Sequence, residues 1–139
     1  MKKNTIDDTS IIELPTFKDQ KKGVLIVMDD EYFPFEIRRV FQIIAPKGAI
    51  RGEHSHRKHS QIMICTRGVI EIESDDGMIK KNYTLSDPNK GVLIPSNIWS
   101  KQTYLTDESI LTVLCDAKYD ESEYIRDYQI FLKDRNVNN

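Results

Sequence analysis

The sequence predicts an all-β fold, a double-sheet jelly roll finished by one short C-terminal helix. Three observations carry this. Turn-forming clusters interrupt the chain about every 8 to 15 residues, the spacing of short strands in a sandwich or barrel. The segments between them are rich in Ile and Val, which suit a pleated, half-buried surface. Helical periodicity is nearly absent before the last 21 residues. About ten short strands in 139 residues fit two sheets packed face to face.

Taken in order, strands are expected at 11–14, ended by Pro15, and at 23–28, an apolar run opened by Gly23. The next, 38–44, stops at Pro46-Lys47-Gly48 and is followed by 50–56. Residues 61–66 and 69–74 flank the Arg67-Gly68 turn. Asp75-Asp76-Gly77 separates 69–74 from 78–85; Asp76-Gly77 is the strongest turn signal, since Gly accepts the positive φ of a tight hairpin. After Asp87-Pro88-Asn89-Lys90-Gly91 come 91–95, then 101–105 beyond Pro95-Ser96-Asn97, and 109–117. The helix is expected at 119–128, where Asp120, Glu121 and Glu123 sit early and Tyr124, Ile125 and Tyr128 share a face. Both tyrosines read as packing residues, with stacking on a ligand as the alternative. The tail beyond Lys133 is expected to fray.

Length and charge narrow the function. The chain is read as one domain, 1–139, with its core at about 23–131. A net charge of −2 offers no excess positive field, which argues against nucleic acid or an anionic membrane as partner. No run of 18 apolar residues occurs and Met1 to Asp8 lacks an apolar leader, so a cytoplasmic location is expected. The pairs Lys21-Lys22, Arg57-Lys58 and Lys80-Lys81 read as solvated faces. Cys65 and Cys115 lie in apolar stretches and are expected to be buried thiols.

The densest polar cluster runs from Arg51 to Gln61 and contains all three histidines. Side chains alternate along a strand, so His54 and His56 project from one face into a shared cavity, while His59 has the opposite parity and reads as a rim residue. Two imidazoles near neutral pH can take and return a proton.

The spacing around them resembles the first motif of the cupin superfamily. Gly48 is followed by five residues, His54-Ser55-His56, four residues, Gln61, six residues and Gly68. Gln61 stands where that family has a metal-binding Glu. In the second motif, Pro95-Ser96-Asn97-Ile98-Trp99-Ser100, Asn97 stands for a Gly and Ser100 for a metal-binding His. Neither replacement supplies the charge or imidazole that a divalent ion needs, so no metal is expected.

Further stretches narrow the resemblance. Pro34 to Phe41, Arg51 to Lys58, Gly68 to Ile72 with Asp75-Asp76-Gly77, Pro95 to Trp99, and Tyr119 to Tyr128 together are similar to the bacterial dTDP-sugar 3,4-ketoisomerases of the cupin superfamily. The resemblance implies a metal-independent, cofactor-free cupin enzyme that moves the ketone of dTDP-4-keto-6-deoxyglucose from C4 to C3. Its product would feed a 3-amino sugar of a surface glycan, and the enzyme would be a homodimer with an exchanged N-terminal strand. It makes His54 the catalytic base and His56 the second active-site His. Arg51, Arg39, Gln61, Gln42 and Trp99 become substrate-binding residues. For Arg51, stabilising the enediolate, holding the diphosphate and pairing with Glu53 or Glu71 remain open; for Trp99, stacking on thymine and packing do. The Arg-x-Tyr-Tyr segment of the family reads Arg39-Val40-Phe41-Gln42, so its tyrosine is missing or shifted, and the C4 configuration of the product stays open. A cupin epimerase acting on the same 4-keto sugar, or a non-catalytic sugar sensor, are the alternative readings.

Overall fold

The computed structural model describes residues 2–135. Its strands are β1 (Ser10–Glu13), β2 (Thr16–Asp19), β3 (Gly23–Ile26), β4 (Arg39–Ala45), β5 (Ile50–His56), β6 (Gln61–Arg67), β7 (Ile70–Asp75), β8 (Lys80–Leu85), β9 (Lys90–Ile94), β10 (Trp99–Tyr104), β11 (Ser109–Cys115) and β12 (Tyr124–Ile125), followed by helix α1 (Tyr128–Arg135). Two five-stranded antiparallel sheets, ordered β1-β9-β6-β11-β4 and β12-β5-β10-β7-β8, make the jelly roll, and β2-β3 form a separate hairpin.

The main core lies between the sheets, where Met63, Cys65, Leu111 and Val113 face Ile70, Ile72, Leu85 and Tyr104. The other face of the first sheet is also covered: Ile62, Ile64 and Leu114 pack under Leu14 and Phe33. Burial on both faces explains why β6 reads as an unbroken apolar run rather than an alternating one. Cys65 and Cys115 are buried free thiols. At the Asp75-Asp76-Gly77 turn, Gly77 has φ +92°, and Asp76 Oδ1 accepts the N–H groups of Met78 and Ile79 at 2.9 and 2.8 Å.

Two elements depart from expectation. The helix begins at Tyr128, where the predicted one ends. Asp120 accepts the Ser122 N–H at 3.0 Å and closes a single 3-10 turn, after which Tyr124 and Ile125 pair with His56 and Ser55 of β5. The open edge of β5 presents backbone groups that need partners, and this long-range pairing overrides local helix preference. Asp127 then caps α1 by accepting the N–H groups of Gln129 and Ile130 at 2.9 and 3.1 Å. Strand β2 escaped the sequence reading because Lys18 and Asp19 break its pattern and only its hairpin partner β3 organises it. Of the tail expected to fray, α1 carries the chain to Arg135, and residues 136–139 lie outside the described residues.

Candidate active site

The site forms at one end of the sandwich, between β5 and β10 on one sheet and β4 and β6 on the other. Its geometry depends on a bulge. Arg51 lies opposite Gln102, Gly52 opposite Lys101 and His54 opposite Ser100, so Glu53 has no partner across the ladder. Gly52 and Glu53 adopt φ +85° and +57°. The inserted residue restores the parity of the strand, so Arg51 and His54, three positions apart, face the same interior. From the other sheet Arg39, Gln61 and Cys115 share one row, since Cys115 pairs with both Arg39 and Gln61.

Two adjoining cavities result. His54 lines the larger, of about 310 Å³, with Arg39, Arg51, Gln61 and Tyr124. His56, 7% exposed, lines a smaller one of about 10 Å³ together with His59, and Arg39, Gln61 and Tyr124 wall both. The two imidazoles touch edge to face with ring centroids 5.0 Å apart. The common face expected for them holds, but the single shared cavity does not: His54 alone opens onto the larger space. Tyr124 wedges against both rings, at 4.9 and 4.5 Å, and the Arg126 guanidinium lies 4.4 Å from the Tyr124 ring centroid.

Burial sets the protonation of the pair. Desolvation lowers the pKa of His54 below the ordinary histidine value. Desolvation, reinforced by His54, His59, Arg39 and Arg126, pushes His56 down to about 3. Both are therefore neutral at pH 7, as a proton acceptor must be. In the unfolded chain the same imidazoles titrate near 6.5. Between that pH and about 3 the unfolded state binds a proton that the native His56 refuses, so stability falls as the pH drops through this window. Thermal melts from pH 7 to 4 should show this decline, and His56→Gln should flatten it by up to about 1.4 kcal/mol per pH unit. An unchanged slope would contradict the burial argument.

Arg39 and Arg51 make no ion pair with a carboxylate among the described residues, which leaves two guanidiniums on the cavity wall for an anionic ligand. Pairing of Arg51 with Glu53 or Glu71 is thereby removed. Arg39 also stacks on Phe41 at 4.5 Å and donates to the Tyr124 hydroxyl at 3.4 Å.

Comparison with known proteins places this arrangement. Residues 7–136 match the family described as "FdtA: WxcM-like, C-terminal". The chain belongs to this FdtA family. Among its relatives is the TDP-4-oxo-6-deoxy-α-D-glucose-3,4-oxoisomerase of Aneurinibacillus thermoaerophilus, 30% identical over 127 residues and 91% of each chain. The FdtA-type fold here superposes on the crystal structure of a sugar 3,4-ketoisomerase from Thermoanaerobacterium thermosaccharolyticum in complex with TDP, with TM-score 0.91 and 30% identity over 96% of this chain and 98% of that one. A histidine-to-asparagine variant of the same enzyme, in complex with TDP-4-keto-6-deoxyglucose, gives TM-score 0.91 at 29% identity, covering 96% and 98% of the two chains. The TDP-fucose-3,4-ketoisomerase of Campylobacter jejuni gives 0.87 at 33% identity, covering 94% and 98%.

Within this FdtA-type site two sequence assignments change. Trp99 does not line the larger cavity; it is 9% exposed and packs against Tyr128 and Phe131 of α1 with centroids 5.1 and 5.5 Å apart. Of its two open roles, packing is the one its position supports. Gln42 only borders the cavity, because alternation turns its side chain to the opposite face of β4 from Arg39, where it donates to Thr112 Oγ1 at 3.0 Å. The positions that would hold a cupin metal do not fit one. Gln61 donates its amide to Cys115 Sγ at 3.5 Å, and Ser100 lies opposite His54, leaving two imidazoles without an anionic ligand.

Arg126 and Gln102 escaped the sequence reading, and Tyr124 had contact with a ligand only as its alternative role. Tyr124 and Arg126 come from the segment misread as a helix. Gln102, 4% exposed and oriented by a 2.8 Å hydrogen bond from the Tyr104 hydroxyl, carried only the weak signal of a polar residue on an inward-facing strand position. Among the described residues no helix is long and apolar enough to cross a membrane.

Proposed function

We propose that this protein is a metal-independent isomerase that moves the ketone of dTDP-4-keto-6-deoxyglucose from C4 to C3. The observation that carries the reading is a neutral imidazole, His54, opening into a cavity whose wall holds two unpaired guanidiniums. A volume of about 310 Å³ lies within the range of small-molecule pockets. The activities of the relatives named above support the same assignment.

In this mechanism His54 takes the C3 proton, which the neighbouring carbonyl makes acidic, and the electron pair forms an enediolate. The C3 hydroxyl surrenders its proton as the C3 ketone forms, the C4 oxygen gains one, and His54 returns its own proton to C4. Arg51, Gln61 and Arg39 face the developing negative charge, where preorganised donors are most effective. His56 backs His54 and holds its ring in place. The diphosphate engages whichever of Arg39 and Arg51 the enediolate leaves available.

Incubation with dTDP-4-keto-6-deoxyglucose in D₂O, followed by NMR, tests the reading. A carbonyl at C3 with hydrogen or deuterium newly bound at C4 supports it. Deuterium at C3 or C5 with the ketone still at C4 indicates an epimerase, and absence of both conversion and exchange indicates a sensor. The finer assignment carries the product on to an aminotransferase and a surface glycan, which an aminotransferase that accepts this product would support.

The reading includes a homodimer that exchanges N-terminal strands. Exposed Phe17, Val24 and Leu25 on the β2-β3 hairpin, with Val40 and Ile44 on the edge strand β4 at 57% and 69% exposure, support contact between two copies, while in the single chain β1 pairs with its own β9. A monomer in sedimentation at micromolar concentration would remove that element alone.

A further inference from the structure

The smaller cavity has no part in the chemistry above. Its walls run from buried His56 to His59, whose side chain is 27% exposed, and its volume of about 10 Å³ is near the least that admits one water molecule. Gln61, Tyr124 and Asp120 add polar groups to the lining. The backbone that carries the outer imidazole is held in place. Glu123, itself 7% exposed, accepts the backbone N–H groups of Lys58 and His59 through Oε1 at 2.8 and 2.9 Å, and the same oxygen lies 3.5 Å from Nδ1 of His59. A carboxylate at Nδ1 favours the proton on that nitrogen and leaves Nε2 to accept another. His54 contacts His56 on the inner side.

We propose that His59, oriented by Glu123, is a positioning residue that passes protons between His56 and bulk water across this cavity. Its consequence, which rests on the ketoisomerase reading, is to set how often the proton taken by His54 is exchanged before it returns to the sugar. Each exchange moves one proton outward from His54 through His56, the cavity water and His59, and one solvent proton inward by the same route. His56 releases the proton of one ring nitrogen as it accepts at the other, so that it is never left cationic. No electrons move and the net charge of the site is unchanged.

The test compares the native protein with His59→Gln in D₂O, reading the fraction of product that carries deuterium at C4. The fraction should fall several-fold in the variant. His59→Ala should lose it likewise and regain it with added imidazole. Reduced turnover with an unaltered deuterium fraction would mean that His59 only supports the loop, and would overturn the relay. If the native protein moves no ketone, the ketoisomerase reading fails, and the relay is judged by exchange of the His56 ring N–H with water in ¹⁵N NMR. Slower exchange in His59→Gln supports it; equal exchange overturns it.

Discussion

With asparagine in place of His54, ketone transfer is expected to fall about 10²- to 10⁴-fold while TDP affinity stays within a few-fold of native. His54 is the ring that opens onto the larger cavity, and burial keeps it neutral and ready to accept a proton. Asparagine fills similar space but cannot carry a proton between two carbons. A base acts in the transition state rather than in ground-state binding, so the loss belongs in kcat. Stopped assays with the 4-keto sugar and calorimetry with TDP separate the two quantities. Parallel loss of rate and affinity would make His54 a binding residue instead.

The second large effect is expected at Gly52. Alanine there must hold φ +85°, a region that costs an L-residue about 1 to 2 kcal/mol. Its Cβ would also lie 3.1 Å from the Ser100 carbonyl oxygen, in the adjacent strand β10, which is backbone and cannot step aside. Relief requires β5 to shift against β10, and that shift displaces Arg51 and His54 together. A misplacement of about 1 Å can cost about 10²-fold in rate, so Gly52→Ala should be crippled in turnover beyond its loss of stability. Thermal melts and rate assays on the same preparation check this. Native rates in a destabilised variant would show that the bulge does not set the geometry of the site.

These two positions mark where sequence reasoning reached and where it stopped. His54 was legible because strand alternation is local: two residues apart means one face, whatever the rest of the chain does. Ten of the twelve strands were legible from equally local signals, β-branched runs broken by Gly, Pro and Asp turns, while β2 and β12 were not. Simple alternation would have turned Arg51 away from His54, and only the ladder register against β10 reveals the extra residue at Glu53 that brings it back. Asn97, standing for a glycine in the second motif, has φ +70°, a conformation that asparagine tolerates, so the motif keeps its turn without its glycine.

For Trp99 and Tyr124 the sequence left both packing and contact with a ligand open, and the structure puts Trp99 under α1 and Tyr124 on the cavity wall. An indole beside a turn near the cavity mouth and a tyrosine at helical spacing carry no mark of which will touch the ligand. That depends on the cover each element receives: α1 packs over Trp99, while β12 draws Tyr124 onto the two imidazoles.

By itself, then, the sequence determined the all-β class, the turn positions and the common face of His54 and His56, all properties of residues near one another in the chain. The tertiary structure decided which ring opens onto the larger cavity, which guanidiniums join it, and that residues 124–125 close the sheet as a strand instead of continuing a helix. Those outcomes rest on pairing between distant segments, where an open strand edge or an inserted residue is resolved only by the partner across the ladder.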